Sequence, residues 1–322
     1  MIVTVTPNPA LDITYRVAGL VRGESHRITE VVERAGGKGL NTAGVLTTMG
    51  HAALAVAPVG SPALEAFGAD LSARGIEHVL VPTRTPTRRS VAVVDDSGAA
   101  TLLNEVGSPL PDDVWTDLLT AVRGAAAAPF ARVLTVSGSL PPQAPPDIVR
   151  TVVAEAHRAG LAVVLDVSGP QLLSALEAGP EIVKPNRSEA AATLGRGEGD
   201  DLPAAALARA LASSGARAAI VSDGAAGLAL ATGPLALRAW LERPLQGNAT
   251  GAGDAATAAL AADLDSGGAL STTAPDATAW REALARAVAW SAAAVLQPVA
   301  GSIDPTDVDR LLPAVQIQET TA

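Results

Sequence analysis

The sequence predicts an α/β protein: a mostly parallel central sheet with helices on both faces, and a small separate sheet beside it. Three observations carry this reading. β-rich runs alternate with amphipathic ones along most of the 322 residues, the pattern of strand–helix–strand units whose crossovers make neighbouring strands parallel. Two pairs of β-rich runs enclose no helical run, so they fall outside that array. Hydrophobic residues make up 48% of the chain against 17% charged, enough to bury one large domain spanning 1–322.

The elements follow in order. Residues 2–6 alternate as a first strand. Runs 12–17 and 27–34 are strand-like around a turn-rich stretch at 19–24, and 40–49 reads as a helix. A strand at 53–59 and a helix at 64–74 come next. Runs 89–94 and 100–104 flank Asp95-Asp96-Ser97-Gly98, a hairpin signal. Strands are expected at 132–137, 162–166, 182–184 and 218–222, with helices at 112–122, 147–158, 203–213, 254–264 and 278–295. The two unhelical pairs, about 12–35 and 87–104, are read as a lid over the main body. Segments 195–201 and 266–276 read as loops, and the tail after Leu312 as frayed.

Composition excludes several classes. The net charge of −10 argues against nucleic acid or an anionic membrane as the main partner, and means that an anionic ligand must be drawn in by local cations. There is no cysteine, hence no disulfide or thiolate metal site. The histidines (His26, His51, His78, His157) are scattered, which argues against a histidine-rich metal centre. No run reaches the roughly 18 apolar residues of a membrane span; the longest candidate, 284–296, contains Arg286, Trp290 and Ser291. The first residues read as a strand rather than a signal peptide, so a soluble cytoplasmic protein is expected.

Chemistry is sought in the loops that follow the strands, where such sheets bind ligands. Gly247-Asn-Ala-Thr-Gly-Ala-Gly-Asp254 precedes an alanine-rich helical run. Gly251, Ala252 and Gly253 let backbone approach a ligand closely, and their N–H groups fall at a helix N-terminus, which attracts anions. Asp254 in the same turn suits a proton acceptor beside a phosphoryl group in transfer; an acidic residue in an ordinary first turn is an equal reading. Ala35-Gly-Gly-Lys-Gly-Leu-Asn41 is a second anion-compatible turn, with Lys38 as a charge and Asn41 as a hydroxyl ligand, but it lacks Walker A spacing. Asp12, after the first strand, can accept from two sugar hydroxyls or be a plain turn aspartate. In Pro86-Thr-Arg-Arg-Ser90, one of Arg88 and Arg89 can grip a phosphate. Ser137-Gly-Ser-Leu-Pro141 offers small residues at a strand end. Asn186 and Glu189, in Lys184-Pro-Asn-Arg-Ser-Glu189, suit Mg²⁺ and equally make a helix capping box. Val221-Ser-Asp-Gly-Ala-Ala-Gly-Leu228 reads as a tight hairpin.

Taken together and in this order, Thr6-Pro-Asn-Pro-Ala-Leu-Asp12, Gly36-Gly-Lys-Gly-Leu-Asn41, Ser137-Gly-Ser-Leu-Pro141, Leu165-Asp-Val-Ser-Gly169, Lys184-Pro-Asn-Arg-Ser-Glu189 and Gly251-Ala-Gly-Asp254 resemble the ribokinase-like sugar kinases of the phosphofructokinase-B type. The branch most resembled is that of 1-phosphofructokinase, tagatose-6-phosphate kinase and the minor 6-phosphofructokinase. The resemblance implies a three-layer α/β/α domain with a β-sheet lid that often clasps a second copy into a homodimer. It implies phosphorylation of a ketohexose phosphate, most of all fructose 1-phosphate, by ATP with Mg²⁺. A 6-phosphofructokinase, a tagatose-6-phosphate kinase or a silent sugar-phosphate binder are the alternatives.

By the same resemblance Asp254 is the base, and Gly251, Ala252 and Gly253 complete the anion hole. Asp12, Gly37, Lys38, Asn41, Arg88, Ser90 and Ser139 hold the sugar phosphate. Lys184, Asn186, Ser222, Gly224 and Gly227 lie along the nucleotide, and Asn186 and Glu189 reach Mg²⁺ through water. A free aspartate titrates near ~3.9, so Asp254 is expected to be ionised at neutral pH. The chain departs from the pattern at Ser90, where asparagine is usual, and at Asp223, where an apolar residue is usual.

Overall fold

The structure is a computed structural model that describes all residues except 29, 198, 199, 268, 269, 271–275, 321 and 322. Parts of the loops read at 266–276 and 195–201 lie outside the described residues. In chain order the elements are β1 (Ile2–Val5), β2 (Ala10–Arg16), β3 (Glu30–Gly36), α1 (Lys38–Thr48), β4 (Ala53–Gly60), α2 (Leu64–Ala73), β5 (Glu77–Thr83), β6 (Arg88–Val94) and β7 (Ala100–Asn104). They continue with α3 (Asp112–Ala126), β8 (Val133–Ser137), α4 (Ile148–Arg158), β9 (Ala162–Asp166), α5 (Pro170–Leu176), β10 (Ile182–Val183), α6 (Arg187–Thr193) and α7 (Ala204–Ser213). The last are β11 (Ala218–Ser222), β12 (Leu228–Thr232), β13 (Leu235–Leu241), α8 (Ala252–Asp265), α9 (Ala277–Val295), α10 (Pro305–Leu311) and β14 (Val315–Glu319).

The large sheet has ten strands in the order β14-β13-β12-β11-β10-β9-β8-β1-β4-β5. From β5 to β11 neighbours are parallel, and β11 to β14 form an antiparallel edge. Successive side chains leave opposite faces of a strand, and the core divides accordingly. Ile2, Val133 and Val164 pack with α1, α2, α8, α9 and α10 on one face; Val3, Leu134 and Val163 pack with α3, α4, α5, α6 and α7 on the other. The result is the expected three-layer arrangement.

Two corrections concern the edges. The tail after Leu312 is not frayed: β14 pairs antiparallel with β13, and its half-buried Val315 and Ile317 alternate with exposed Gln316 and Gln318. That short alternation beside a run of turn residues hides the strand. The β5 strand, with exposed Glu77 and half-buried His78, was likewise missed because it is an edge strand with little apolar pattern.

The small sheet has the order β3-β2-β6-β7, as the two unhelical pairs require. Its register sets Arg34, Asp12, Ser90 and Asn104 opposite one another, one residue per strand, in a single polar row. Ile13, Tyr15, Val17, Val91 and Val93 alternate in sequence as a one-faced apolar pattern would; Ile13, Val17 and Val93 are buried and Tyr15 and Val91 half-buried, whereas Val31 and Leu103 stand 51% and 60% exposed. No described helix is long and apolar enough to cross a membrane.

Candidate active site

The carboxyl ends of β1, β8 and β9, the start of α1 and the start of α8 converge on one buried ionic cluster. α8 begins at Gly251, whose φ of 87° is a left-handed conformation that glycine adopts without strain. The Ala252 N–H is held by the Ala249 carbonyl, so the first-turn donors beyond it belong to Gly253 and Asp254. Asp254 is 5% exposed.

Asp166, at the end of β9, joins the cluster. Its Oδ1 accepts from the Lys38 ammonium at 3.0 Å, and its Oδ2 from the Lys184 ammonium at 3.0 Å and the Thr257 hydroxyl at 3.1 Å. Lys38 also reaches Glu189 Oε1 at 3.2 Å. The Asn41 amide donates to Asp12 at 3.3 Å and lies near enough to Asp254 to favour its charged form, so it stands between the small sheet and α8. Asp12 also accepts from the Gly37 N–H at 3.4 Å.

The charges set one another. Burial alone would raise the Asp166 carboxyl, but the ammoniums of Lys184 and Lys38 outweigh it and hold it at about 2. Burial works against the Lys38 charge, yet Asp166, Glu189 and Asp254 keep its ammonium above its ordinary value. Asp254 goes the other way: burial, then the Asp166 carboxylate, push it up to about 7 against the pull of Lys38, Asn41 and Lys184. The expectation of a fully ionised Asp254 at neutral pH is therefore corrected, because a buried carboxyl beside a second carboxylate resists charging. Burial likewise raises Asp12, against its hydrogen bonds from Asn41 and Gly37.

The sequence-derived residues fall into three groups. Asp12, Gly37, Lys38, Asn41 and Asp254 meet in the cluster just described. Asn186, Ser222, Gly224 and Gly227 gather at the ends of β10 and β11, where Asn186 and Ser222 form a bridge and the Ser222 N–H donates to Pro185. Arg88, Ser90 and Ser139 lie on the small-sheet side. Arg88 donates to the Asn8 and Glu105 carbonyls, each at 3.1 Å, and Asn8 donates to Ser139 Oγ at 3.3 Å.

Lys38 and Arg88 have separate partners: α1 aims Lys38 at Asp166 and Glu189, and Arg88 opens β6 beside Asn8 and Glu105. Lys184, expected near the nucleotide phosphates, has a 2% exposed side chain paired with Asp166, and a Cβ on Gly253 would sit 3.5 Å from its ammonium, which puts it beside the α8 turn.

Sequence reasoning missed Asp166 and Thr257, which only the pairing of β9 with α8 brings together, and Asn104, whose Oδ1 accepts from Ser90 at 2.7 Å. It also missed Arg34, which lines a shallow pocket with Asp12, Ser90, Asn248 and Thr250. The Thr250 hydroxyl there is buried with no partner among the described residues.

Asn186 and Glu189 realise the full capping box, and Glu189 Oε2 accepts from the Asn186 N–H at 2.9 Å. Among the described residues no group of three carboxylates or histidines forms a metal cage. The donor set fits a magnesium ion carried by nucleotide phosphates and water, which needs one or two carboxylates.

A family model for pfkB family carbohydrate kinases matches residues 6–307. The chain belongs to that family. It is a sugar kinase, and its family uses ATP as phosphoryl donor, usually with Mg²⁺. It is 37% identical over 273 residues to a 1-phosphofructokinase of Xanthomonas campestris pv. campestris, covering 81% of this chain and 83% of that protein. It is similar to phosphofructokinase-2 from Escherichia coli solved in complex with fructose-6-phosphate, at 26% identity and TM-score 0.81 over 97% of this chain and 98% of that one. A possible 1-phosphofructokinase from Thermotoga maritima shares the fold at 21% identity and TM-score 0.83, over 99% of each chain. The ionic cluster thus lies in a pfkB kinase at the strand ends where α/β sheets bind ligands, with the polar row of the small sheet beside it.

Proposed function

We propose that this pfkB kinase transfers the γ-phosphoryl group of ATP to a hydroxymethyl group of a ketohexose phosphate, with fructose 1-phosphate preferred. The observation that carries the reading is the chain of contacts Asp12–Asn41–Asp254. It sets an acceptor for ring hydroxyls one amide away from a buried carboxyl at the start of α8.

The substrate hydroxyl attacks the γ-phosphorus in line and gives its proton to Asp254. The N–H groups of Gly253 and Asp254, with the Lys38 ammonium, meet the charge that develops on the phosphoryl oxygens. Gly251 and Ala252 shape this turn. Arg88 takes the substrate's own phosphate, with Ser139 and Asn8 beside it. Gly37, Asn41 and Ser90 join Asp12 around the ring. Ser222, Gly224 and Gly227 border the nucleotide, and Lys184 braces the turn from below. Glu189, and Asn186 through water, face Mg²⁺, which when bound neutralises charge on the nucleotide phosphates.

A ketohexofuranose phosphate can place its phosphate at Arg88 and offer the opposite hydroxymethyl to Asp254 whether it is a 1- or a 6-phosphate. Discrimination therefore rests on the ring hydroxyls. The 37% identity to a 1-phosphofructokinase favours fructose 1-phosphate; 6-phosphofructokinase and tagatose-6-phosphate kinase activities are the second reading. A silent sugar-phosphate binder has no feature in its favour, since the Asp254 turn is intact. The small sheet is proposed to act as a lid and to pair with that of a second copy in the cytoplasm.

The test is the specificity constant for fructose 1-phosphate, fructose 6-phosphate and tagatose 6-phosphate with Mg-ATP. A preference for either 6-phosphate sinks the substrate choice and keeps the kinase reading; turnover of none sinks both substrate readings.

A further inference from the structure

We infer that Asp70 and Arg74, an ion pair at the C-terminal end of α2, are positioning residues that fix the spacing between the Gly36–Asn41 turn and the Gly251–Asp254 turn. The sense given to those two turns rests on the kinase reading above.

Both side chains are largely buried, 27% and 16% exposed, and lie one helical turn apart at 3.4 Å. Together they hold both backbone polar groups of one residue on β3. Asp70 Oδ2 accepts from the Ala35 N–H at 3.1 Å, and Arg74 Nη1 donates to the Ala35 carbonyl at 3.4 Å. Ala35 is the last residue before Gly36-Gly37-Lys38, so its grip fixes where the small sheet ends and the turn begins. The other arm of the guanidinium, Nη2, donates to the Gly301 carbonyl at 3.3 Å. Gly301 and Ala300 form the floor of the second turn: a Cβ on Gly251 would lie 3.1 Å from Ala300 Cα and 3.2 Å from Gly301 N.

One planar fork therefore ties two turns that are more than two hundred residues apart in sequence. The packing admits nothing else there. A Cβ on Gly44 of α1 would meet Arg74 Nη2 at 2.3 Å, and one on Gly301 would meet Asn41 Oδ1 at 2.8 Å. Asn41 is the residue that links Asp12 to Asp254, so a shift of Gly301 passes straight to it. A fork with two separate donor arms can hold two carbonyls at fixed separation; an ammonium is a point charge and cannot.

Phosphoryl transfer is sensitive to this spacing, since a misplacement of about 1 Å can lower a rate about 100-fold. A looser gap also admits water as the acceptor: water then attacks the γ-phosphorus, ADP leaves, and no sugar is phosphorylated.

The experiment compares Arg74→Ala, Arg74→Lys and Asp70→Asn with wild type and with Glu65→Ala, an exposed residue of the same helix. Two quantities are read. The first is amide hydrogen exchange over 35–41 and 298–302, which needs no substrate. It should quicken in the Arg74 and Asp70 variants and stay unchanged in Glu65→Ala. The second is ADP released per sugar phosphorylated, which should rise about tenfold in Arg74→Ala, with a raised KM for the sugar and an unchanged KM for ATP. Arg74→Lys should fall between, and added guanidinium should restore the ratio in Arg74→Ala.

Partial unfolding lowers rates but leaves that ratio where it was, so the ratio separates positioning from loss of folded enzyme. If Arg74→Ala does not fold, Arg74→Lys and Asp70→Asn carry both readouts. Exchange and coupling at wild-type values in every folded variant overturn the inference. If wild type phosphorylates no ketohexose phosphate, the substrate reading fails by itself and exchange still decides the positioning role.

Discussion

At the scale of single residues the Asp254 carboxyl governs behaviour. Its value of about 7 lies in the range where a general base works best. The ratio kcat/KM should rise with pH through about 7 and level off above, the rising limb marking loss of the Asp254 proton. Asp254→Asn should lower kcat by about 10²–10⁴-fold and remove that limb; a limb that survives belongs to another group. The same shift has a stability sign. The folded value lies above the unfolded 3.8, so this group's contribution is intact below pH 3.8 and declines as pH rises through about 7. Thermal melts should show Asp254→Asn more stable than wild type at about pH 8 and equal to it near pH 3. Asp166→Asn tests the cause: the limb should move to lower pH. Removing the counter-charge of Lys38 and Lys184 should cost about 3–5 kcal/mol, readable by denaturant titration. Asp254 was legible from its turn, but its titration was not. That depends first on burial and then on Asp166, 88 residues earlier in the chain, arriving near it at the end of β9.

At the scale of elements the α6 start has two readings that one variant can separate. Asn186→Ala removes the N-cap acceptor and should cost about 1 kcal/mol of stability, measured by chemical unfolding. If Asn186 also faces the nucleotide, the KM for Mg-ATP should rise well beyond what lost stability explains, while the KM for the sugar phosphate stays. An unchanged nucleotide KM leaves only the cap. The row Arg34–Asp12–Ser90–Asn104 makes a second test. Ser90 carries a hydroxyl where an amide is usual, and Asn104 supplies an amide across the strand pair at 2.7 Å. Ser90→Asn should therefore change specificity among the three ketohexose phosphates by a few-fold only. The strands and helices that alternate cleanly were legible, because burial on one face writes a period into the sequence. β5 and β14 were not, because edge strands carry weak patterns and gain their place from a neighbour.

At the scale of the whole molecule the association state tests the proposed pairing of small sheets. Val31 and Leu103 are exposed on the sheet face that also bears Tyr15 and Val91. A second copy would cover them, and small sheets gain stability from such packing. Sedimentation at micromolar concentration should give about twice the chain mass. Replacing Val31 and Leu103 together by aspartate should give a monomer with a raised KM for the sugar phosphate. A wild-type monomer of full activity would show that the small sheet closes unaided.

The sequence by itself determined the layer architecture, the separate sheet, the family and the two anion-compatible turns, because hydrophobic period and glycine placement are local and survive in one dimension. Only the tertiary structure decided what the charges do. Lys38 pairs with Asp166 and Glu189, and Lys184 is buried against the same Asp166. Electrostatic roles depend on distances of a few ångströms between residues far apart in the chain, and no local pattern encodes those distances.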